Sequence, residues 1–115
     1  MKGEIYLTKP QQYLLVYGQG KSWASGPVVM KILPNGLSFS RFGLSVSKRV
    51  GNAVTRNRTK RRLREILRRA RLVQGWDIII IARPSINNIT YNSLQKIIGN
   101  LLHKADLIST VDIIR

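Results

Sequence analysis

The chain has no cysteine, only five acidic residues and a single histidine among its 115 positions. Without cysteine there is no disulfide framework and no thiolate metal site, a composition compatible with the reducing cytoplasm. The acids are Glu4, Glu65, Asp77, Asp106 and Asp112. No two of them are placed to hold a metal ion or to divide general acid and base work, since Asp77 opens a strand and Glu65 falls in mid-helix. His103 lies near the end of the last helix, where a lone histidine reads as a surface or boundary residue. Nucleophilic and metal-hydrolase schemes therefore lack their parts. Long apolar runs are missing too. The longest, Ile78 to Ala82, is far short of the about 20 residues that cross a bilayer. The opening MKGEIYLTKPQQ lacks the unbroken apolar core of a signal peptide. No repeat, low-complexity segment or linker divides the chain, so residues 1–115 read as one domain. Such a polypeptide binds rather than cuts unaided.

Positive charge is abundant. Twenty Lys and Arg residues give a net charge of +15, and eleven of them lie between Lys48 and Arg71 with Glu65 as the only acid among them. A hydrophobic content of 43% excludes a disordered basic tail, which could not bury enough surface to fold. Gly51 and Asn52 break the chain, and Asn52 is a candidate N-cap for a helix starting near Ala53. Leu63, Ile66, Leu67 and Ala70 recur at the spacing of one buried helical face. At about 100° per residue, Arg58, Arg61, Arg62, Arg68 and Arg69 fall opposite. Arg56 and Lys60 lie nearly in line with the apolar stripe, so the helix is expected to leave the core there and meet something negative. A merely solvated helix would mix both signs to form i,i+4 pairs. This one sets like charges side by side, which a polyanion explains most simply. An anionic membrane is the weaker partner, because cations surround much of the helix and no aromatic residue anchors it.

In chain order, Thr8-Lys9-Pro10-Gln11 forms a capping-box pattern, predicting a helix to about Tyr17 that stops at Gly18 or Gly20. Tyr13 and Tyr17 are one turn apart, a spacing that taken alone favours packing over a binding surface. Gly18-Gln19-Gly20 with Lys21-Ser22 has a superficial likeness to a phosphate loop, but the spacing is incomplete and no strand precedes it. Lys21 to Ser25 and Val28 to Leu33 read as strands around Gly26-Pro27, and Pro34-Asn35-Gly36 as a turn. Ser38 to Ser47 reads as a strand with Phe42, Leu44 and Val46 on an apolar face and Gly43, Ser45 and Ser47 on a shallow, hydroxylated one. Gly75 marks the stop of the basic helix. Trp76 to Ala82 is apolar on both faces, hence an interior strand. Strand, helix and strand imply a parallel pair. Thr90 is a candidate cap for a last helix burying Leu94, Ile97, Ile98, Leu101 and Leu102. The core is expected over about 7–104, with Ile108 to Arg115 frayed. The order is α-β-β-β-α-β-α, a single-domain α/β (α+β) sandwich with a mixed sheet.

FGLSVSKRVGNAVTRNRTKRRLRE closely resembles the signature of the protein subunit of bacterial ribonuclease P. The resemblance extends from about Leu7 to Lys104 and includes Gly20 to Ser22, the run WDIIIIARP and the following TYNSL. It implies a large catalytic RNA and precursor tRNA as partners, with no obligatory protein partner evident, in a complex that removes the 5′ leader. It also implies that the chemistry belongs to the RNA and its bound Mg2+, with no metal held tightly by the protein. By motif position, Arg56, Asn57, Arg58, Lys60, Arg61 and Arg64 would contact the catalytic RNA, with Lys48, Arg49 and Arg68 beside them. Guanidinium suits bidentate phosphate contact. The family holds the single-stranded leader in a cleft between its first helix and the open sheet. Its two helical aromatics match Tyr13 and Tyr17, which turns those residues toward base stacking. A third family aromatic falls at Lys31 here, a departure that trades stacking for a phosphate contact. The resemblance further implies a left-handed crossover through the basic helix, against the right-handed form taken in about 98% of cases. Two other readings stay open on the residues: a ribosomal or ribosome-associated RNA-binding protein, and a DNA-binding module. The latter is disfavoured by a helix charged on nearly every side with no dimerisation signal.

Overall fold

The computed structural model describes residues 6–108. Helix α1 spans Pro10–Gln19, and strands β1 (Lys21–Ser25), β2 (Val28–Pro34) and β3 (Arg41–Val46) follow. Helix α2 (Ala53–Arg69), strand β4 (Trp76–Ala82) and helix α3 (Tyr91–Lys104) complete the expected α-β-β-β-α-β-α order. Short 3-10 turns precede α2 (Lys48–Val50) and α3 (Pro84–Asn88). The sheet order is β1-β2-β4-β3. As its two apolar faces require, β4 is interior, antiparallel to β2 and parallel to β3.

Register decides which side chains face which layer. Val28, Met30, Ile32, Phe42, Val46, Ile78, Ile80 and Ala82 point to one face, where Leu63, Ile66 and Leu67 of α2 and Leu94, Ile98, Leu101 and Leu102 of α3 close the main core. The other face is covered more thinly. There Val16 of α1 packs with Leu7 and Ile79 in a small second cluster. Burial on the scale of the main core is the dominant stabilising term.

Several element ends differ from expectation, each for a local reason. The α1 capping box sits one residue later than Thr8 and Gln11 predict: Gln12 Oε1 accepts from the Thr8 and Lys9 amides at 2.9 and 3.0 Å, and Lys9 is the N-cap. The helix runs past Tyr17 to Gln19 and stops at Gly20, one of the two expected stops, where a Cβ would stand 2.6 Å from the carbonyl oxygens of both Val16 and Ile32. Strand β3 starts at Arg41 rather than Ser38. The Ser40 hydroxyl donates to the Val73 carbonyl (2.7 Å) and accepts from the Trp76 amide (3.1 Å), drawing Ser40 into a loop contact instead of a ladder. Ser47 also leaves the strand, and its side chain accepts from the Arg49 amide to cap the 3-10 turn. Helix α2 ends at Arg69, well before Gly75. The core reaches past 104, since Leu107 is fully buried, its carbonyl accepts from the Val73 amide (2.7 Å), and Ile108 bridges Leu72. The rest of the tail expected to fray, 109–115, lies outside the described residues.

Candidate nucleic-acid interface

Helix α2 begins as its sequence requires, with the Asn52 side chain accepting from the Thr55 amide at 2.9 Å. Leu63, Ile66 and Leu67 are buried, and Thr59 extends that face toward the N-terminus, its hydroxyl bonded to the Thr55 carbonyl at 3.1 Å. The remaining surface is cationic. Asn57, Arg58, Arg61, Arg64 and Arg68 are exposed, as are Lys48 and Arg49 in the turn before the helix, while Arg56 and Lys60 are half-buried. Glu65 meets Arg69 at 3.7 Å; among the described residues no other cation of α2 has a carboxylate partner. The first turn of α2 carries no acid, so its macrodipole adds to the positive potential instead of being offset. Such a helix is electrostatically incomplete without an anion.

The second surface is the thinly covered sheet face. Ser22, Lys31, Ile79 and Gly43 form one row across the four strands, and Ala24, Val29, Ile81 and Ser45 the next. Tyr13 reaches this face from α1 and rests on Gly43, where a Cβ would lie 2.8 Å from Tyr13 Cε2. Glycine is needed there for close approach, since any side chain would occupy the ring's place. Tyr17 follows one turn later, 38% exposed, with ring centroids 6.3 Å apart and planes at 51°. Burial raises the pKa of the Tyr13 phenol above its ordinary value, against a backbone hydrogen bond that lowers it. Lys31 is half-buried in the row that holds Gly43. Expected site residues thus fall on two surfaces: Tyr13 and Lys31 at the sheet face with Tyr17 beside Tyr13, and the basic set on α2 and the turn before it. Sequence reasoning missed Val29 and Ile81, the apolar floor of the sheet face, because an unbroken isoleucine run hides which residues face which way.

Gly43→Ala should displace the Tyr13 ring while leaving the fold nearly intact, because the clashing atoms are the far end of a mobile side chain. A stability loss of about 1 kcal/mol or less is expected. Tyr13 fluorescence in a variant with the other tyrosines and the tryptophans replaced by phenylalanine would report the move; an unchanged spectrum would contradict the close approach.

Among the described residues, no group of three or more His, Cys, Asp or Glu could hold a metal ion, and no helix is long and apolar enough to cross a membrane. Asp77 is committed elsewhere: it is buried and accepts from Arg41 Nε and Nη2 at 2.9 and 2.8 Å and from Asn35 Nδ2 at 2.9 Å.

Residues 1–106 match the family model described as Ribonuclease P. The chain is 44% identical over 112 residues to the ribonuclease P protein component of Dehalococcoides mccartyi, covering 97% of this chain and 93% of that one. Its fold superposes on a mutant Staphylococcus aureus RNase P protein with a TM-score of 0.87 at 31% identity, over 94% of this chain and 93% of that one. The RNase P protein of Thermotoga maritima gives 0.79 at 30% identity, over 86% and 96%.

Proposed function

The chain belongs to the ribonuclease P protein family, in the role of the protein component of that tRNA-processing endoribonuclease, and on that premise we propose how its surfaces divide the work. The family assignment removes the ribosomal and DNA-binding alternatives. The outward cations, Arg58, Arg61 and Arg68 with Asn57, Lys48 and Arg49, bind phosphates of the structured catalytic RNA. Arginine forks suit bidentate phosphate contact, and Asn57 suits a phosphate or 2′-hydroxyl. The sheet face receives the unpaired 5′ leader of precursor tRNA in the cytoplasm, with bases stacking at Tyr13 and Tyr17 and Lys31 meeting a phosphate. The observation that carries this assignment is the tyrosine pair: one ring seated on Gly43 of the sheet face, the next exposed with its centroid 6.3 Å away.

Bond cleavage belongs to the RNA of the complex and its magnesium ions, and the polypeptide alone is inactive. The donor set supports that division. Of the three acids in the described residues, Asp77 serves Arg41 and Asn35, Glu65 faces Arg69, and Asp106 stands exposed in the turn after α3. No three of them come together, so they do not fit a magnesium site.

Tyr13→Ala tests the leader assignment. In the complex reconstituted with a bacterial ribonuclease P RNA, it should weaken precursor tRNA binding by about 1–3 kcal/mol through lost stacking. Mature tRNA, which has no leader, should bind as to the parent. Equal losses for the two RNAs would mean that the tyrosine only supports the fold.

A further inference from the structure

Strands β3 and β4 run parallel and end side by side, with Val46 in register with Ala82. Each feeds a 3-10 turn, Lys48–Val50 after β3 and Pro84–Asn88 after β4. The sheet thus delivers two turns that are distant in sequence to neighbouring places. Each turn buries one side chain in the main core, Val50 from the first and Ile86 from the second. One polar link joins them: the Asn87 side-chain amide donates to the Val50 carbonyl across 37 positions.

That carbonyl sits at a sensitive point. Just before it stand Lys48 and Arg49, both exposed, and just after it come Gly51 and Asn52, the N-cap of α2. Within the turn the hydrogen bonds are local. Ser47 Oγ accepts from the Arg49 amide at 3.3 Å, and the Val50 and Gly51 amides donate to the Ser47 and Lys48 carbonyls at 3.0 and 3.2 Å. Such 3-10 bonds have poorer geometry than α-helical ones. The joint to α2 is a glycine, whose backbone is the least constrained, so α2 alone does not aim the turn. Burial of Val50 sets its depth, but apolar burial has no direction. A hydrogen bond has one, and the Asn87 bond adds it.

Asn87 is itself firmly backed. The Arg83 amide donates to the Pro27 carbonyl at 2.8 Å, and Arg83 Nη1 to the Gly26 carbonyl at 2.9 Å. The Pro84–Asn88 turn is therefore a strut between the β1–β2 hairpin and the basic turn. Asn87 is exposed, so its removal leaves no core cavity and the fold should tolerate it.

We propose that Asn87 is a positioning residue for assembly with the catalytic RNA: its amide presets the Lys48–Val50 turn, so that Lys48 and Arg49 meet phosphates already aimed. This rests on the reading that these two cations bind that RNA. Ordering loops and side chains at an interface opposes association, and a turn ordered during folding is spared that loss.

The test is a double-mutant cycle on binding to a bacterial ribonuclease P RNA, with amide exchange of the free protein beside it. Asn87→Ala should weaken binding roughly 5-fold, the scale of one hydrogen bond. The salt slope should hold, because both cations still reach phosphate once bound. Lys48→Gln/Arg49→Gln should flatten that slope by about two units. In this background Asn87→Ala should cost less than about 2-fold, since nothing is left to aim. In free Asn87→Ala protein the Val50 and Gly51 amides should exchange faster, while those of Leu63 and Ile66 in α2 keep the parent rates. Three results would overturn the proposal. An equal loss in both backgrounds would mean that Asn87 acts apart from the two cations. Faster exchange throughout α2 would mean that it supports the fold at large. No loss in the parent background would mean that the turn is aimed without it. The premise is tested separately by Lys48→Gln/Arg49→Gln alone: if that pair leaves affinity and slope unchanged, the turn does not bind RNA and the reading beneath the proposal fails with it. If the pair weakens binding and Asn87→Ala does not, only the positioning role falls.

Discussion

Asp77→Ala should destabilise the protein by about 3–5 kcal/mol, the usual cost of removing one partner from a buried ion pair. The residue is only 5% exposed and its carboxylate joins three elements. It pairs in register with Arg41 across the parallel β3–β4 ladder, and it accepts from Asn35 in the turn after β2. Asn35 in turn donates to the Phe39 carbonyl at 3.1 Å and accepts from the Leu37 amide at 2.8 Å, so one acid orders the whole connection into β3. The hydrogen bond to Asp77 raises the Arg41 pKa above its ordinary value; the guanidinium stays charged and would be stranded by the substitution. Arg41 keeps 20% of its side-chain surface and can turn partly to water, which places the expected loss toward the lower end. Urea unfolding reads it as a lower midpoint at unchanged slope. Replacing both partners, Arg41→Met with Asp77→Leu, should recover much of the loss, because no charge is then left unpaired. A single-variant loss under about 1 kcal/mol would mean that water already serves the pair.

Asp77 also marks where sequence reading stopped. Its strand was legible, since an all-apolar run after a helix belongs inside a sheet, but its partners are 36 and 42 positions away and nothing local announces them. The same divide runs through the candidate site. The period of Leu63, Ile66 and Leu67 fixes which face of α2 is buried, and Arg58 and Arg61 follow as outward-facing. Which neighbour the flank of Lys60 and Arg64 meets depends on how α2 lies over β3, and helical periodicity carries no such information. Tyr6 was invisible for a related reason: its place beside Phe42 comes from a parallel bridge between distant segments. Leu107 follows the last helix, where no period remains to flag a buried residue. Gly43 read only as a small residue on a polar face; its use as the seat of Tyr13 needs both elements in place. The boundary errors at Thr8 and Ser38 have one cause. Single side chains, Gln12 and Ser40, each making two hydrogen bonds to the backbone, decide element ends that composition leaves open.

Removing three outward cations together, Arg58→Ala with Arg61→Ala and Arg68→Ala, should give the largest loss in binding the catalytic RNA. All three side chains are exposed, none has a carboxylate partner among the described residues, and alanine favours the helix, so the fold should survive. Each phosphate contact releases condensed counterions when it forms, so the slope of log affinity against log salt should flatten by roughly one unit per lost cation, about three in all. That slope sets the size of the effect. Three contacts at roughly 3- to 4-fold each for a fourfold change in salt should shrink the gap between parent and variant by about 40-fold from 50 to 200 mM. Filter binding or fluorescence titration of the ribonuclease P RNA at four or five salt concentrations measures both slope and gap. The reverse pattern, a weaker complex at unchanged slope, would mean that these arginines shape the interface without touching phosphate. The outward face of α2 would then have to bind the RNA through Asn57 and the turn residues Lys48 and Arg49 instead.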